Sequence, residues 1–96
     1  MVSVNDDQIR KALVSLAIEQ TLREISLETL HEVGKRIFEN YNCYIPDCYE
    51  HPEYLSSVLK DIFGNSYNVI VESIKKQLGE FALQKPIEEF LVKIER

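Results

Sequence analysis

The sequence predicts an all-α protein, a compact bundle of about five short helices. Three observations support this fold class. Apolar residues recur every three or four positions through most of the chain, which is the period of one face of an α-helix. Only three glycines and three prolines interrupt the 96 residues, and several of them stand where helices are expected to begin or end. The length predicts one domain, residues 1–96, with a single core.

The first predicted helix begins at Asn5 and runs to about Glu24. Asparagine is a favourable N-cap residue, because its side chain accepts a hydrogen bond from an unpaired backbone N–H. Asp6 and Asp7 follow at the positive end of the helix dipole. Gln8 occupies the position of a capping box, which completes the signal for a helix N-terminus.

The second and third predicted helices are also marked at their ends. Ser26 is the expected N-cap of the second helix, which fades near Asn40. Pro52 opens the third helix, because the missing N–H of proline would be unpaired in a first turn anyway. Gly64 is expected to end it in a left-handed conformation. Between these two helices, residues 41–51 form the one long stretch that we expect to be irregular.

Two more helices complete the predicted bundle. Asn65 or Ser66 is expected to cap the fourth helix, which ends at Gly79. Pro86 opens the fifth helix. The link at residues 81–83 is apolar, so we expect it to turn inward and pack against the core.

Composition and charge exclude several classes of partner. No apolar run approaches the roughly 20 residues that span a bilayer, and the N-terminus lacks the basic and apolar regions of a secretory signal. We therefore expect no membrane association and a cytoplasmic location. The net charge of −5 disfavours nucleic acid as a partner, because Lys and Arg must replace the counterions of the phosphate backbone. The excess of acidic residues lies in residues 1–64.

The first predicted helix is apolar on two sides. The face expected to pack into the core carries five apolar residues: Ile9, Ala12, Leu13, Leu16 and Ala17. A second apolar stripe lies on roughly the opposite side: Val14, Ile18, Leu22 and Ile25. Either this helix lies centrally and is covered on both sides, or the second stripe contacts another subunit or a partner protein. Since a few short helices can hardly enclose one helix, we favour a homodimer that forms through the second stripe.

Both cysteines lie in the irregular stretch, where they form the pattern C-x4-C-x2-H. Cys43, Cys48 and His51, with His31 on the second helix, would supply the sulfur and nitrogen ligands that zinc prefers. Their spacing is looser than in common zinc modules. Two alternatives remain open: the cysteines are small buried apolar residues, or they form a disulfide across the turn between them.

The same stretch is rich in tyrosine and acidic residues. Tyr44 and Tyr49 are candidate interface residues, because tyrosine combines apolar area with a polar group and is enriched at interfaces. Their acidic neighbours would suit a basic partner. The alternative is that the tyrosine rings pack this segment onto the bundle in place of regular structure.

No catalytic residue is predicted. A thiolate nucleophile needs an electropositive setting, whereas Cys43 and Cys48 have acidic neighbours, which raise the pKa of a thiol. The adjacent carboxylates Glu88 and Glu89 would point about 100° apart on a helix, so they cannot easily share a proton or a water molecule. We therefore expect no enzymatic activity and no cofactor, with zinc as the one alternative.

One sequence motif suggests a family. The run L-K-D-I-F-G-x-S at residues 59–66, followed by a helix and by a last helix that opens at a proline, resembles small archaeal signalling output domains called Nitrosopumilus output domain 5. The resemblance covers about residues 54–94. It implies an archaeal source and an intracellular protein that acts through protein contacts, and it assigns no functional residues.

These observations predict a non-enzymatic module for protein interaction or signalling output. The chain is expected to self-associate, as a homodimer through the first helix, and a further protein partner is possible. A small zinc-binding domain built on Cys43, Cys48 and His51 is the alternative function.

Overall fold

A computed structural model describes residues 6–95, and five α-helices make up most of this range. They are α1 (Asp6–Ile25), α2 (Leu27–Tyr41), α3 (Pro52–Phe63), α4 (Tyr67–Leu78) and α5 (Lys85–Glu95). Three short 3₁₀ turns lie between them: Ile45–Tyr49, Gly64–Ser66 and Gly79–Leu83. The described residues contain no β-strand, so the predicted all-α bundle is confirmed. None of their helices combines the length and the apolar character needed to cross a membrane.

The N-terminus of α2 forms as its sequence predicts. Ser26 is the N-cap in an extended conformation, and its side-chain oxygen accepts a 3.0 Å hydrogen bond from the backbone N–H of Thr29. The helix continues slightly beyond the predicted end and stops at Tyr41, where Asn42 adopts a left-handed conformation with φ of 55°. Asparagine tolerates this conformation better than most residues that carry a Cβ atom.

The ends of α3 and α4 are set by proline and glycine. Pro52 is the first residue of α3, as predicted, and Gly64 and Gly79 end α3 and α4 with φ values of 54° and 56°. The start of α4 differs from the prediction, because Ser66 makes no side-chain capping hydrogen bond. The 3₁₀ turn before it leads directly into the helix and supplies backbone partners instead. The predicted cap at Asn5 lies outside the described residues.

The link between α4 and α5 does not turn inward as a whole. It forms a 3₁₀ turn in which Ala82 is buried, whereas Phe81 is half exposed and Leu83 is 79% exposed. A 3₁₀ helix has three residues per turn, so a segment this short directs about one residue in three towards the core. The prediction is therefore wrong for Phe81 and Leu83. Helix α5 starts at Lys85, with Pro86 in its first turn.

Helix α1 lies in an orientation that differs in part from the predicted one. Ala17 is buried and Leu13 packs against the core, as expected, whereas Ile9, Ala12 and Leu16 are exposed. The helix packs against α2, α4 and the turn at Ile45–Tyr49, and these elements cover Val14, Ile18 and Leu22 completely. The stripe proposed as an interface is thus part of the chain's own core, and the prediction of an intermolecular contact is wrong for these three residues. Ile25, at the end of the helix, is half exposed. The interpretation in which neighbouring helices cover this stripe is the correct one for Val14, Ile18 and Leu22.

Candidate protein-interaction surface

The outward side of α1 carries an apolar ridge. Ile9 and Leu16 are 45% and 54% exposed, and the exposed Ala12 lies between them at helical spacing. These three residues, here called the α1 ridge, belong to the face that the sequence assigned to the core. The small side chain of Ala12 allows a second helix to approach the backbone closely at the middle of the ridge.

Leu16 stands between two grooves. On one side, α1 and Pro46 of the 45–49 turn line an open depression of about 550 Å³. On the other side, α1, α4 and Phe81 enclose about 250 Å³. Leu16 lines both grooves, so it forms a projection between two depressions. This is the surface shape with which packed helices interlock.

A third groove lies between α1, α2 and the 45–49 turn and has a volume of about 540 Å³. Its apolar lining comes from α2 and from the segment that follows it: Leu30, Gly34, Phe38, Tyr44, Ile45 and Pro46. We call it the α1–α2 groove. Glu19 and Pro46 line both this groove and the 550 Å³ groove beside the ridge, so the two depressions adjoin.

The polar residues around the α1–α2 groove are more basic than the chain as a whole. Arg23 on α1 and His31 and Lys35 on α2 line it, together with one acidic residue, Glu19. Neither Arg23 nor Lys35 forms a salt bridge with any residue between 6 and 95. This local excess of positive charge contrasts with the net charge of −5.

The two tyrosines proposed as interface residues have different surroundings. Tyr44 is 65% exposed and contributes to the α1–α2 groove, where its ring lies 5.6 Å from that of Phe38. Tyr49 lies 6.0 Å from the ring of Phe90 on α5 and is partly buried, and this burial is the main reason that its pKa is raised. Tyr44 is thus available to a partner, whereas Tyr49 mainly attaches its turn to the bundle.

The remaining aromatic residues of the segment hold it in place. Tyr41 and Tyr54 stack with ring centres 4.0 Å apart and an angle of 5° between the ring planes. His51 stacks on Tyr54 at 4.7 Å and lies 3.5 Å from a carboxylate oxygen of Glu53. These stacked rings connect the end of α2 to the start of α3, as the packing alternative predicts.

The four candidate zinc ligands do not come together. Cys48 is fully buried, and Cys43 is partly buried. His51 is engaged with Tyr54, and His31 lines the α1–α2 groove. Among residues 6–95 no cluster of three or more His, Cys, Asp or Glu side chains is arranged to hold a metal ion. Both thiols are free, so the alternative of a disulfide does not hold in this structure either.

The environment of Cys48 keeps its thiol protonated. The pKa of Cys48 is raised to about 12, mainly by burial and to a smaller extent by the neighbouring Cys43 and Asp47. The Sγ atom lies 4.0 Å from the carbonyl oxygen of Tyr44, to which it donates a weak hydrogen bond. A thiol in this state is a poor nucleophile.

Sequence reasoning missed the α2 side of the groove. One face of α2 carries Leu30, Gly34 and Phe38, which lie about one helical turn apart. The signal that could have revealed the groove is Gly34, because a glycine is unusual in the interior of a helix. For α1, the signal lay in its second half, where Glu19 and Arg23 follow Leu16 on the same side of the helix. The side of Ile18 and Leu22 carries no charge there, which favours burial of that side.

The chain was compared with family models, with curated proteins and with solved structures, and no match was found.

Proposed function

We propose that this protein is a non-enzymatic interaction module that pairs with a second copy of itself through the α1 ridge. The observation that carries this proposal is the exposed apolar ridge of Ile9, Ala12 and Leu16, in which Leu16 stands between two grooves. Covering apolar surface of this kind is favourable, because it removes that surface from water.

A second copy suits the ridge because the surface contains both a projection and matching depressions. In a symmetric dimer, Leu16 of one copy can enter the groove beside the ridge of the other copy, and the same contact then forms twice. The resemblance to signalling output domains implies action through protein contacts, and pairing of two copies would be one such contact.

The required contact area defines the extent of the proposed interface. A stable interface covers about 800 Å² on each partner, which is more than three partly exposed side chains can supply. We therefore expect the walls of the two flanking grooves to take part, with Pro46 on one side and Phe81 on the other. The interface would then extend across α1 from the 45–49 turn to the link before α5.

Sedimentation equilibrium tests this proposal. The wild-type chain should change from monomer to dimer as its concentration rises through the micromolar range, and the variant Leu16→Glu should remain monomeric. A glutamate at the centre of the contact would remove an apolar side chain and bury an unpaired charge. We therefore expect the dissociation constant of the dimer to increase at least about 100-fold. Because Leu16 is half exposed in the monomer, this variant should keep its helical circular dichroism.

Val69→Glu is the matched control. Val69 on α4 is 64% exposed and does not line the grooves beside the ridge, so the same change in charge should leave the dimer intact. A wild-type chain that remains monomeric at millimolar concentration would contradict the proposal. So would equal effects of the Leu16 and Val69 substitutions on dimerisation.

A further inference from the structure

We infer that the α1–α2 groove binds an acidic amphipathic helix from another protein. This site goes beyond the proposed self-association, since the α1–α2 groove is built mainly on α2 and the segment after it. Only its extension past Glu19 and Pro46 reaches a groove beside the α1 ridge. Three features support the inference: a glycine in the wall of the groove, a positive rim, and the length of the continuous depression.

Gly34 is the first of these features. It lies inside α2, where glycine is less favourable than alanine because it loses more backbone freedom on folding. The fold gives no reason for this choice: a Cβ atom at Gly34 would meet only the Cδ1 atom of Ile45, at an ordinary contact distance of 3.9 Å. The backbone of Gly34 is in the ordinary negative-φ range. The missing side chain does, however, leave space in the groove between Leu30 and Phe38.

The charge of the rim determines the type of partner. Arg23 and Lys35 form no salt bridge with any of residues 6–95, and Lys35 has only a longer-range electrostatic interaction with Glu32. Glu19 is the one acidic side chain in the lining. A partner with carboxylates beside its apolar residues would complement this rim, whereas a basic partner would leave Arg23 and Lys35 opposite like charges.

The shape of the depression favours a helix. The rings of Phe38 and Tyr44 form an exposed aromatic wall at one end. From there the depression continues past Glu19 and Pro46 into the groove that reaches Gln8 on α1. The 15 steps from Gln8 to Arg23 along α1 correspond to roughly 22 Å. An amphipathic helix of about four turns can place a row of apolar side chains along such a length.

The test uses a synthetic peptide of about four helical turns, with leucines on one face, glutamates on both flanks and a fluorescent label. Fluorescence anisotropy measures its binding to the full chain. Two further peptides serve as comparisons: one with lysine in place of every glutamate, and one with the same composition but without a continuous apolar face. We expect saturable binding of the acidic amphipathic peptide, binding at least about tenfold weaker for both comparison peptides, and weaker binding in high salt.

Variants of the groove locate the binding site. Gly34→Ala should raise the urea midpoint of unfolding, and Gly34→Met should fill the groove and weaken peptide binding by at least about tenfold. Lys35→Glu should weaken binding by about fivefold, whereas Lys75→Glu on α4, outside the lining, should have no effect. Sedimentation of the Gly34 variants should match that of the wild type, which separates this inference from the proposed self-association.

The inference is overturned by any of three results. The first is a failure of the acidic peptide to bind, and the second is equal binding of the lysine peptide. The third is unchanged binding by a folded Gly34→Met variant. If only Leu16→Glu abolishes peptide binding, the peptide occupies the α1 ridge and the assignment to the α1–α2 groove is wrong.

Discussion

Cys48 is a side chain whose chemistry depends on its burial. The acidic neighbours in the sequence predict a raised thiol pKa, and the structure shows that burial contributes more than these charges. In the folded protein the pKa of Cys48 rises from 9.0 to about 12. The thiol should therefore react slowly with alkylating reagents until the chain unfolds.

The raised pKa of Cys48 also predicts how stability depends on pH. Above pH 9 the unfolded chain loses the thiol proton, whereas the folded chain retains it until the pH approaches 12. The folded state then binds more protons, so the free energy of unfolding falls as the pH rises through this interval. Between pH 8 and pH 10 the free energy of unfolding of the wild type should fall by about 1.4 kcal/mol more than that of Cys48→Ala.

Urea unfolding at the two pH values measures this difference, and the Cys48→Ala variant accounts for all other groups that titrate in the same range. Identical pH dependence of the wild type and Cys48→Ala would contradict the predicted protection of this thiol.

At the scale of elements, the 45–49 turn depends on Asp47. One carboxylate oxygen of Asp47 accepts a 2.9 Å hydrogen bond from the backbone N–H of Tyr44. The other lies 3.6 Å from Nζ of Lys11 on α1, and this amine is also 2.6 Å from Glu50. The contact with Glu50 is the main reason that the pKa of Lys11 is raised. Asp47 thus stabilises the turn locally and also connects it to α1.

Two substitutions of Asp47 should separate these roles. Asp47→Ala removes both the cap and the charge and should lower the free energy of unfolding by about 1.5 kcal/mol. Asp47→Asn keeps an acceptor for the backbone N–H of Tyr44 but loses the charge, so it should lower the free energy of unfolding by only about 0.5 kcal/mol. Urea unfolding measures both values, with Glu50→Gln as a control that affects only the contact with Lys11. Equal costs for alanine and asparagine would show that the hydrogen bond to Tyr44 contributes nothing.

The ends of most elements could be predicted from the sequence because their causes are local. Ser26 accepts a hydrogen bond from a residue three positions away, and Pro52 and Gly64 act through their own backbone geometry. The turn at Ile45–Tyr49 was expected to be irregular, and its 3₁₀ form depends on the contact between Asp47 and Tyr44 and on the packing of Tyr49 near Phe90. Such contacts across the fold leave no periodic signal in the sequence.

At the scale of the whole molecule, the orientation of α1 is what the sequence could not determine. Both sides of this helix are apolar, and the choice between them depends on where α2, α4 and the 45–49 turn pack. The orientation of α1 also determines which of its two apolar sides is available to a partner. Val14, Ile18 and Leu22 entered the core, whereas Ile9, Ala12 and Leu16 became the exposed ridge. Tyr44, one of the two tyrosines that the sequence offered as interface residues, is exposed in the segment after α2.

A pair of matched substitutions tests this orientation. Ile18→Glu and Leu16→Glu introduce the same side chain two positions apart on α1, one on the buried face and one on the exposed ridge. Ile18 is fully buried, so a glutamate there would lose core packing and place an unpaired charge among apolar side chains. We expect Ile18→Glu to lower the free energy of unfolding by at least about 4 kcal/mol, which is most of the stability of a domain at the low end of the usual range.

Circular dichroism and thermal unfolding measured at low concentration, where the chain is monomeric, distinguish the two variants. Ile18→Glu should lose most of its helical signal, whereas Leu16→Glu should keep that signal and stay within about 1 kcal/mol of the wild type, since its side chain remains in contact with water. The reverse result, a folded Ile18→Glu and an unfolded Leu16→Glu, would place Leu16 in the core. It would then restore the stripe of Val14, Ile18 and Leu22 as the surface available to a second copy.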